Sequence, residues 1–312
     1  MHLLIPFAAP APAPFAKALT AAQTPTLERI FARCEQAHST GQAESSLSPP
    51  HEAAYALAQG WQGGDGLWPL AAQWARRDGL SVTEGSAWGL LTPGHWLASA
   101  DDVVLLDPTA LNLPDSEARE LLALVRSLFE DRGWALHYGA ATRWYVQHAS
   151  LAAQPTAALD RVRGRSVQAW LQRTPQAVAW RRLQSELQML LYTAPLNAQR
   201  EARGERAVNS FWLSGTGVAQ RTTVEITVDE RLRQPALAGD VPAWAQAWAE
   251  LDAECLRPWW AQAQRHRDAR LTLCGERGAV TFAPARGGLL RGMAWRWRRW
   301  RRPAAAALLS QL

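Results

Sequence analysis

Residues 209–217 read Asn-Ser-Phe-Trp-Leu-Ser-Gly-Thr-Gly and hold the chain's strongest candidate for ligand chemistry. The apolar run 211–213 is typical of the end of a buried strand, and it predicts a Gly-x-Gly turn directly after that strand. In an α/β sheet, such a turn can expose backbone N–H groups to an anionic ligand. We therefore expect an anion-binding site formed by Asn209, Ser214, Gly215, Thr216 and Gly217, with the two hydroxyl groups as further donors.

A second candidate turn follows the predicted strand over residues 271–274. Its sequence is Gly275-Glu276-Arg277-Gly278, and the Arg277 guanidinium suits the recognition of a carboxylate or a phosphate. If the two strands are neighbours, both turns lie at the same edge of the sheet. The alternative is that the glycines only make turns, and the sequence leaves both interpretations open.

Catalytic groups are harder to find in this sequence. No Asp-x-x-x-His run and no Gly-x-Ser-x-Gly motif is present, and the three cysteines lack metal-ligand spacing. Cys274 precedes Arg277 by three residues, which is too close for a cysteine-phosphatase loop, so a buried structural thiol is expected. We assign no catalytic residue, no metal and no cofactor. Scattered ligands can still meet in a fold, and the residues to check are Asp101, Asp107, His51 and His95.

The charge of the chain is concentrated near its end. The net charge is +5, and six arginines after residue 290 contribute +6, which leaves −1 for residues 1–290. These arginines are Arg291, Arg296, Arg298, Arg299, Arg301 and Arg302. Leu289, Leu290, Met293, Trp297 and Trp300 fall on one face of a helical wheel, so this segment predicts a basic amphipathic helix. Residues 291–302 could contact nucleic acid or an anionic membrane, or the tryptophan face could dock on the protein body.

Composition indicates a globular protein rather than a membrane-spanning one. Hydrophobic residues make up 48% of the 312 residues and charged residues 20%, and no apolar run approaches the length of a spanning helix. The first residues lack the basic segment of a signal peptide. Three widely spaced cysteines are typical of reduced thiols, so we expect a cytoplasmic location. Most of the 17 tryptophans are expected to be buried in helix stripes.

The order of elements predicts an α/β fold. Predicted strands over residues 2–7, 103–106, 222–228 and 271–274 alternate with helices that begin near residues 115, 175 and 242, which favours a mainly parallel sheet flanked by helices. We expect residues 1–287 to form a single domain with a mobile loop at about 38–50. Residues 288–312 are expected to form the basic arginine- and tryptophan-rich helical tail. Residues 88–96 and 186–192 are further candidates for lining a pocket.

Five stretches of the chain carry a resemblance to a known family. They are residues 47–52, 88–96, 188–192, 209–217 and 271–277. Over most of its length the chain resembles the RpfE-type regulatory proteins of proteobacteria. The Asn-x-x-Trp-x-x-Gly-x-Gly motif at 209–217 is also similar to the signature of archaeal-type, cofactor-independent phosphoglycerate mutases. The resemblance implies an alkaline-phosphatase-like α/β fold and a regulatory role, and it implies no reaction.

Phosphoryl transfer in that superfamily requires a site with two metal ions. Its enzymes carry an Asp followed by Gly on the first strand and an Asp/His cluster later, whereas residues 3–9 here contain no acid. The sequence therefore favours a non-catalytic regulatory protein with a small anionic ligand or a protein partner. The alternative is an active cofactor-independent phosphoglycerate mutase or metal-dependent phosphohydrolase that gathers its ligands from distant positions.

Overall fold

A computed structural model describes residues 1–285 other than 12, 23, 42 and 267, together with residues 309 and 312. The strands in this part of the chain are β1 (His2–Ala9), β2 (Cys34–Gly41), β3 (Ala87–Gly94), β4 (Trp96–Ala98), β5 (Val103–Leu105), β6 (Ala135–Ala140), β7 (Arg143–Gln147), β8 (Ser210–Val218), β9 (Ile226–Val228), β10 (Arg270–Gly275) and β11 (Gly278–Pro284). The α-helices are α1 (Ala13–Ala21), α2 (Pro25–Arg33), α3 (Pro50–Ala58), α4 (Leu70–Arg77), α5 (Asp115–Glu130), α6 (Leu159–Val162), α7 (Ala177–Tyr192), α8 (Pro195–Ala202), α9 (Arg233–Ala238), α10 (Val241–Leu251) and α11 (Arg257–Ala263). Short 3-10 helices span Pro108–Leu111 and Ala149–Ala153, and a π-helical turn spans Asp252–Leu256.

Contacts between residues divide the chain into two compact units. The first unit contains Met1–Ser45, Pro49–Gln59 and Thr223–Leu312, and the second contains Ser46–Ser48 and Gly60–Thr222. The single domain expected over residues 1–287 stays a prediction. No described helix has both the length and the apolar character needed to span a bilayer.

The first unit is built on a five-stranded mixed sheet with the order β2-β11-β10-β1-β9. β1 runs parallel to β9 and β10, while β11 is antiparallel to both β10 and β2. Helices α2, α10 and α11 bury a tryptophan-rich core against this sheet, in which Trp244 and Trp248 are fully buried. Asp252 is also buried, and its carboxylate accepts the backbone N–H groups of Thr26 and Leu27 at 3.1 and 2.9 Å, which caps the start of α2.

The second unit is built on a four-stranded antiparallel sheet with the order β6-β7-β3-β8. Alternate residues of β3 point to opposite faces, so that Leu91 packs toward α5 and α7 while Trp88 and Leu90 pack toward α4. α4 presents the small side chains of Ala71 and Ala75 and can therefore lie close to the strands. Strands β4 and β5 form a separate antiparallel pair.

The prediction of a mainly parallel sheet is wrong, because the sheets are mixed or antiparallel. Only two residues, Glu276 and Arg277, join β10 to β11, and a parallel pair would need a much longer crossover. Residues 38–41, expected in a mobile loop, instead form the end of β2 and pair with β11. The predicted basic helix at 288–312 lies outside the described residues, apart from Leu309 and Leu312. Its contacts with nucleic acid or membrane stay a prediction.

His2 makes the first unit sensitive to acid. Its side chain is buried at the start of β1, where Nε2 lies 2.8 Å from the Thr272 hydroxyl, and this burial together with the nearby Arg270 lowers the pKa of His2 to about 4. The unfolded chain binds a proton below its ordinary pKa of 6.5, whereas the folded chain does not until about 4. Stability is therefore expected to fall by up to roughly 3 kcal/mol as the pH drops between these two values.

Urea unfolding at about pH 7, 5.5 and 4.5 measures this effect, with His2→Gln as the matched variant. Gln can keep the hydrogen bond to Thr272 but does not titrate. We expect wild type to lose stability more steeply than the variant between pH 6.5 and 4, by about 1 kcal/mol per pH unit. Parallel curves for the two proteins would contradict the assignment.

Candidate functional site

The predicted Gly-x-Gly turn does not exist as a turn. Residues 214–217 lie within β8, which is buried from Ser210 to Gly217 and pairs with β3. Trp88 pairs with Gly217 and Leu90 with Ser214, so β8 has one residue more than β3 over this interval. This extra residue is a β-bulge, which bends the strand and changes the direction of its side chains.

The two glycines of the bulge allow another backbone to approach closely. Gly217 has a φ of +152°, and a Cβ there would lie 2.8 Å from the carbonyl oxygen of Leu67. Gly215 has a φ of +60°, and its Cβ would lie 3.1 Å from the Ala71 nitrogen. Both contacts are with backbone atoms at or just before α4. The glycines are therefore required for packing, whether or not a ligand binds.

Thr216 is fully buried between these glycines. Its hydroxyl donates to the carbonyl oxygen of Gln154 at 2.6 Å, and it lies 2.9 Å from the hydroxyl of Thr156 and 3.1 Å from the Gly66 carbonyl oxygen. Ser214, in the same strand, is also buried. The Thr216 hydroxyl thus connects β8 to the segment that runs beside it.

Asn209 precedes β8 and joins it to β4. Its side-chain oxygen accepts the backbone N–H of Trp96 at 2.7 Å, and its amide nitrogen donates to the Trp96 carbonyl oxygen at 2.9 Å. The Asn209 N–H also donates to the carbonyl oxygen of Gly94 at 3.2 Å. The Asn209 amide therefore makes the two hydrogen bonds to the Trp96 backbone that a peptide group of a neighbouring strand would otherwise make.

Arg277 lies in the connection between β10 and β11, and its side chain is 65% exposed. It forms an ion pair with Glu44, and its backbone N–H donates to the Leu312 carbonyl oxygen at 2.6 Å. β8 and β10 belong to different sheets, so the condition for a shared edge is not met. Direct ligand contact by Arg277, Asn209 and residues 214–217 stays a prediction.

A cleft that the sequence did not predict lies beside the same strand. It is a shallow cleft that is open to solvent. Four segments of the second unit form it: residues 154–157, residues 170–172, the first turns of α7 at Ala177, Trp180 and Arg181, and β8 at Trp212 and Leu213. Trp212, which belongs to residues 209–217, therefore lines this cleft.

Three indole rings give this cleft its aromatic character. Trp180 and Trp212 are each about 5% exposed or less, and Trp170 is half-buried. The Trp212 indole N–H donates to the Ala157 carbonyl oxygen at 2.9 Å, which fixes the ring. Trp180 packs against Trp134 with ring centroids 6.2 Å apart. Two of the walls are therefore held in place by their neighbours.

Two glutamines one turn apart on α7 hold this helix beside β8. Gln184 donates to the Phe211 carbonyl oxygen at 2.8 Å, and Gln188 donates to the Ser210 hydroxyl at 3.0 Å. The spacing of four residues places both amides on one face of the helix. Gln188, which belongs to the stretch 186–192 named as a candidate pocket lining, thus positions α7, while Glu186 forms an ion pair with Arg132 at 2.5 Å.

Two polar groups of the lining have no partner in the described part of the chain. The Arg181 guanidinium forms no ion pair or hydrogen bond with any described residue, and Arg181 is the only charged residue in the described lining. Gln154 is 2% exposed, and its Oε1 likewise has no partner in the described part of the chain. A buried acceptor without a donor is rare in native proteins. The residues that line the cleft therefore include one cation and one buried acceptor without a described partner.

Of the residues considered as scattered catalytic ligands, Asp107 pairs with Arg163, His95 Nδ1 lies 2.8 Å from the Ala207 carbonyl oxygen, and Asp101 is exposed. The carboxylate of the neighbouring Asp102 accepts from Val103 and Ser166. Within the described ranges, no three His, Cys, Asp or Glu residues lie together as a metal site.

The first strand and two of the cysteines also lack the groups that catalysis would require. β1 carries no acid, and Phe7 near its end packs against His51 with ring centroids 5.3 Å apart. Burial raises the pKa of the Cys274 thiol, and burial together with Asp229 raises that of Cys255 to about 11. Neither thiol is a thiolate near neutral pH, which a cysteine nucleophile requires.

Comparison with known proteins finds limited similarity. No protein-family model matches this chain, and no curated protein matches it in sequence. Among solved structures, it is distantly similar to the cofactor-independent phosphoglycerate mutase from Thermoplasma acidophilum DSM 1728, with 12% identity, a TM-score of 0.37, and coverage of 92% of this chain and 90% of that chain. It is also similar to the PH0037 protein from Pyrococcus horikoshii, with 10% identity, a TM-score of 0.46, and coverage of 91% and 87%.

Proposed function

We propose that this protein is a non-catalytic regulatory protein, of the RpfE type, that binds a small anionic ligand in the aromatic cleft beside β8. The observation that carries the proposal is Arg181, a guanidinium without a partner among the described residues, on the wall of a cleft lined by three tryptophans. A guanidinium in such surroundings gains a strong, directional hydrogen-bonding partner when an anion binds.

The signature stretch supports this site by building its wall. Trp212 lines the cleft, and Thr216 bonds to the carbonyl oxygen of Gln154, which also lines it. Asn209 ties the start of the strand to β4. We propose that residues 209–217 contribute to binding indirectly: they fix the strand that carries Trp212 and hold the backbone of Gln154 beside it.

The non-catalytic part of the proposal rests on the contacts of the acidic and histidine side chains. Asp102, Asp107 and His95 are occupied by neighbouring groups, and β1 carries hydrophobic residues where phosphoryl-transfer enzymes of the resembled superfamily carry an acid. Elemental analysis and turnover assays with phosphoglycerate and a phosphate monoester test this part. Near-stoichiometric zinc or manganese together with turnover would overturn it in favour of a mutase or phosphohydrolase.

Replacing Arg181 with Gln is expected to abolish stabilisation by small anions. A ligand at about 100 times its Kd stabilises the folded protein by about 2.7 kcal/mol, which corresponds to a rise in Tm of roughly 5 °C. We expect this rise for wild type with at least one member of a panel of carboxylates and phosphates, measured by differential scanning fluorimetry. R181Q is expected to show little or no rise.

Arg182→Gln is the matched control, because Arg182 is the next residue of α7, is exposed and does not line the cleft. R182Q is expected to respond to anions as wild type does. Equal loss of the response in both variants would indicate a general effect of charge and count against the cleft.

A further inference from the structure

We propose that a groove of the first unit binds peptides of the Leu-x-x-Leu type, and that in this chain Leu309 and Leu312 occupy it as an intramolecular ligand. The groove is formed by α2, β2 and β11, and its apolar lining includes Phe31, Val280 and Phe282. Both leucines are buried in this groove, with exposed fractions of 1% and 9%. They are therefore held by the folded unit and do not project from it.

The apolar part of the groove is made by side chains that also pack against one another. Phe31 of α2 contacts Phe282 of β11 with ring centroids 4.8 Å apart, and Val280 lies two residues earlier on the same face of that strand. The two leucines belong to the same hydrophobic cluster. The Leu312 N–H donates to the Leu309 carbonyl oxygen at 3.0 Å, which forms a single turn and places both side chains on one side of it.

The connection between β10 and β11 supplies a backbone donor for the docked segment. The Arg277 N–H donates to the Leu312 carbonyl oxygen at 2.6 Å. The sequence predicted an anion site at this turn, on the basis of its glycines and the Arg277 guanidinium. In the structure the backbone donor of the turn binds a peptide carbonyl group instead, so the ligand that matches this turn is a peptide with apolar side chains.

Gly275 provides the space that Leu312 needs. The three atoms nearest to a Cβ at Gly275 would all belong to Leu312, at 2.6–2.8 Å. The φ of Gly275 lies outside the left-handed region, so its own backbone conformation does not require glycine. Gly278 differs, because a Cβ there would lie 2.9 Å from the Thr40 carbonyl oxygen and would disturb the pairing with β2. A side chain at Gly275 is therefore excluded by the docked leucine.

An intramolecular ligand competes strongly with an external one. Two parts of the same chain meet at an effective concentration that can reach the order of millimolar. An external peptide with two leucines three residues apart therefore enters the groove only when Leu309 and Leu312 leave it. The docked leucines thus act as a built-in inhibitor of peptide binding by the first unit.

Peptide binding to full-length proteins tests this assignment. The probe is a fluorescein-labelled peptide with the sequence of residues 304–312, titrated with wild type and with the double variant L309A/L312A and followed by fluorescence polarisation. We expect the double variant to bind the peptide at least about tenfold more tightly than wild type, because its own ligand is lost. Adding Gly275→Ala to the double variant is expected to abolish this binding. Equal affinity for wild type and the double variant, or no binding to either, would overturn the proposal.

Hydrogen exchange gives a second measurement that does not depend on the double variant. In Leu312→Ala, we expect the Arg277 amide to exchange at least about tenfold faster than in wild type, while the amides of β11 keep their protection. Equal acceleration throughout β10 and β11 would contradict the proposal, since the leucines would then be part of the core and not a separable ligand. Protection of Arg277 that rises with protein concentration would overturn the intramolecular assignment in favour of a second copy of the chain.

Discussion

Replacing Gly217 with alanine is expected to lower the free energy of unfolding by about 2–5 kcal/mol. Two independent costs combine at this position. An L-residue at a φ of +152° is strained, and its Cβ would lie 2.8 Å from the Leu67 carbonyl oxygen and 3.1 Å from the Pro69 nitrogen. Because both neighbours are backbone atoms, relief requires a shift of the segment before α4 and not merely a side-chain rotation.

Gly79→Ala is the matched control for this prediction. Gly79 also has a positive φ, +83°, but no atom lies within 4 Å of its would-be Cβ. Its substitution is expected to cost about 1 kcal/mol through the backbone alone. Urea unfolding followed by far-UV circular dichroism compares the two. Equal losses would show that Gly217 is needed only for its φ, and the close packing of β8 against the α4 segment would then be wrong.

Replacing Arg200 with methionine is expected to destabilise the protein by about 3–5 kcal/mol, the other large effect. Arg200 is fully buried on α8, where its guanidinium pairs with Glu117 of α5 and donates to the carbonyl oxygens of Leu111 and Arg206 at 2.5 and 2.8 Å. Methionine fills part of the volume but leaves the carbonyl oxygens of Leu111 and Arg206 without this donor, and Glu117 with Arg203 as its remaining partner. The penalty comes mainly from the polar groups that lose the buried guanidinium.

Arg203→Met tests whether burial is the cause. Arg203 pairs with the same Glu117 and with Glu205, but its side chain is 45% exposed, and water can replace it. We expect this variant to unfold close to wild type, because exposed ion pairs contribute little. Chemical denaturation of both variants gives the comparison. Similar losses for R200M and R203M would contradict the account of the buried network.

Features of the fold that depend on neighbouring residues could be predicted from the sequence. The helix predicted to begin near residue 115 is confirmed as α5, in which Ala118, Leu121, Leu122, Val125 and Phe129 are buried and Leu128 is partly buried. β6 and β7 form a hairpin with a short turn. In both cases the periodicity of the side chains and the turn residues act locally, so no distant partner is needed.

The choice between parallel and antiparallel strands and the conformation of the glycines depend on distant residues instead. Gly215 and Gly217 led to the prediction of a turn, but a turn and a bulge have the same sequence signature. What decides between them is pairing with β3 and packing against α4, more than 120 residues earlier in the chain. The same limit applies to the choice between parallel and antiparallel pairing.

The residues of the cleft are the part of the structure that the sequence predicts least. Gln154, Trp180, Arg181 and Trp212 come from separate segments, and no short motif contains them. The sequence indicated only that tryptophans are abundant and that residues 209–217 are unusual. The positions of Arg181 and Gln154, which carry the polar chemistry, follow from the contacts that place α7 and residues 154–157 beside β8.

The central claim is that Arg181 binds an anion in this cleft. Isothermal titration of wild type, R181Q and R182Q with the anion that raises Tm most tests it directly. We predict one site per chain in wild type and R182Q with similar Kd values, and a Kd at least about tenfold weaker in R181Q, since a charge-assisted hydrogen bond is lost. Equal affinity in all three proteins would contradict the account.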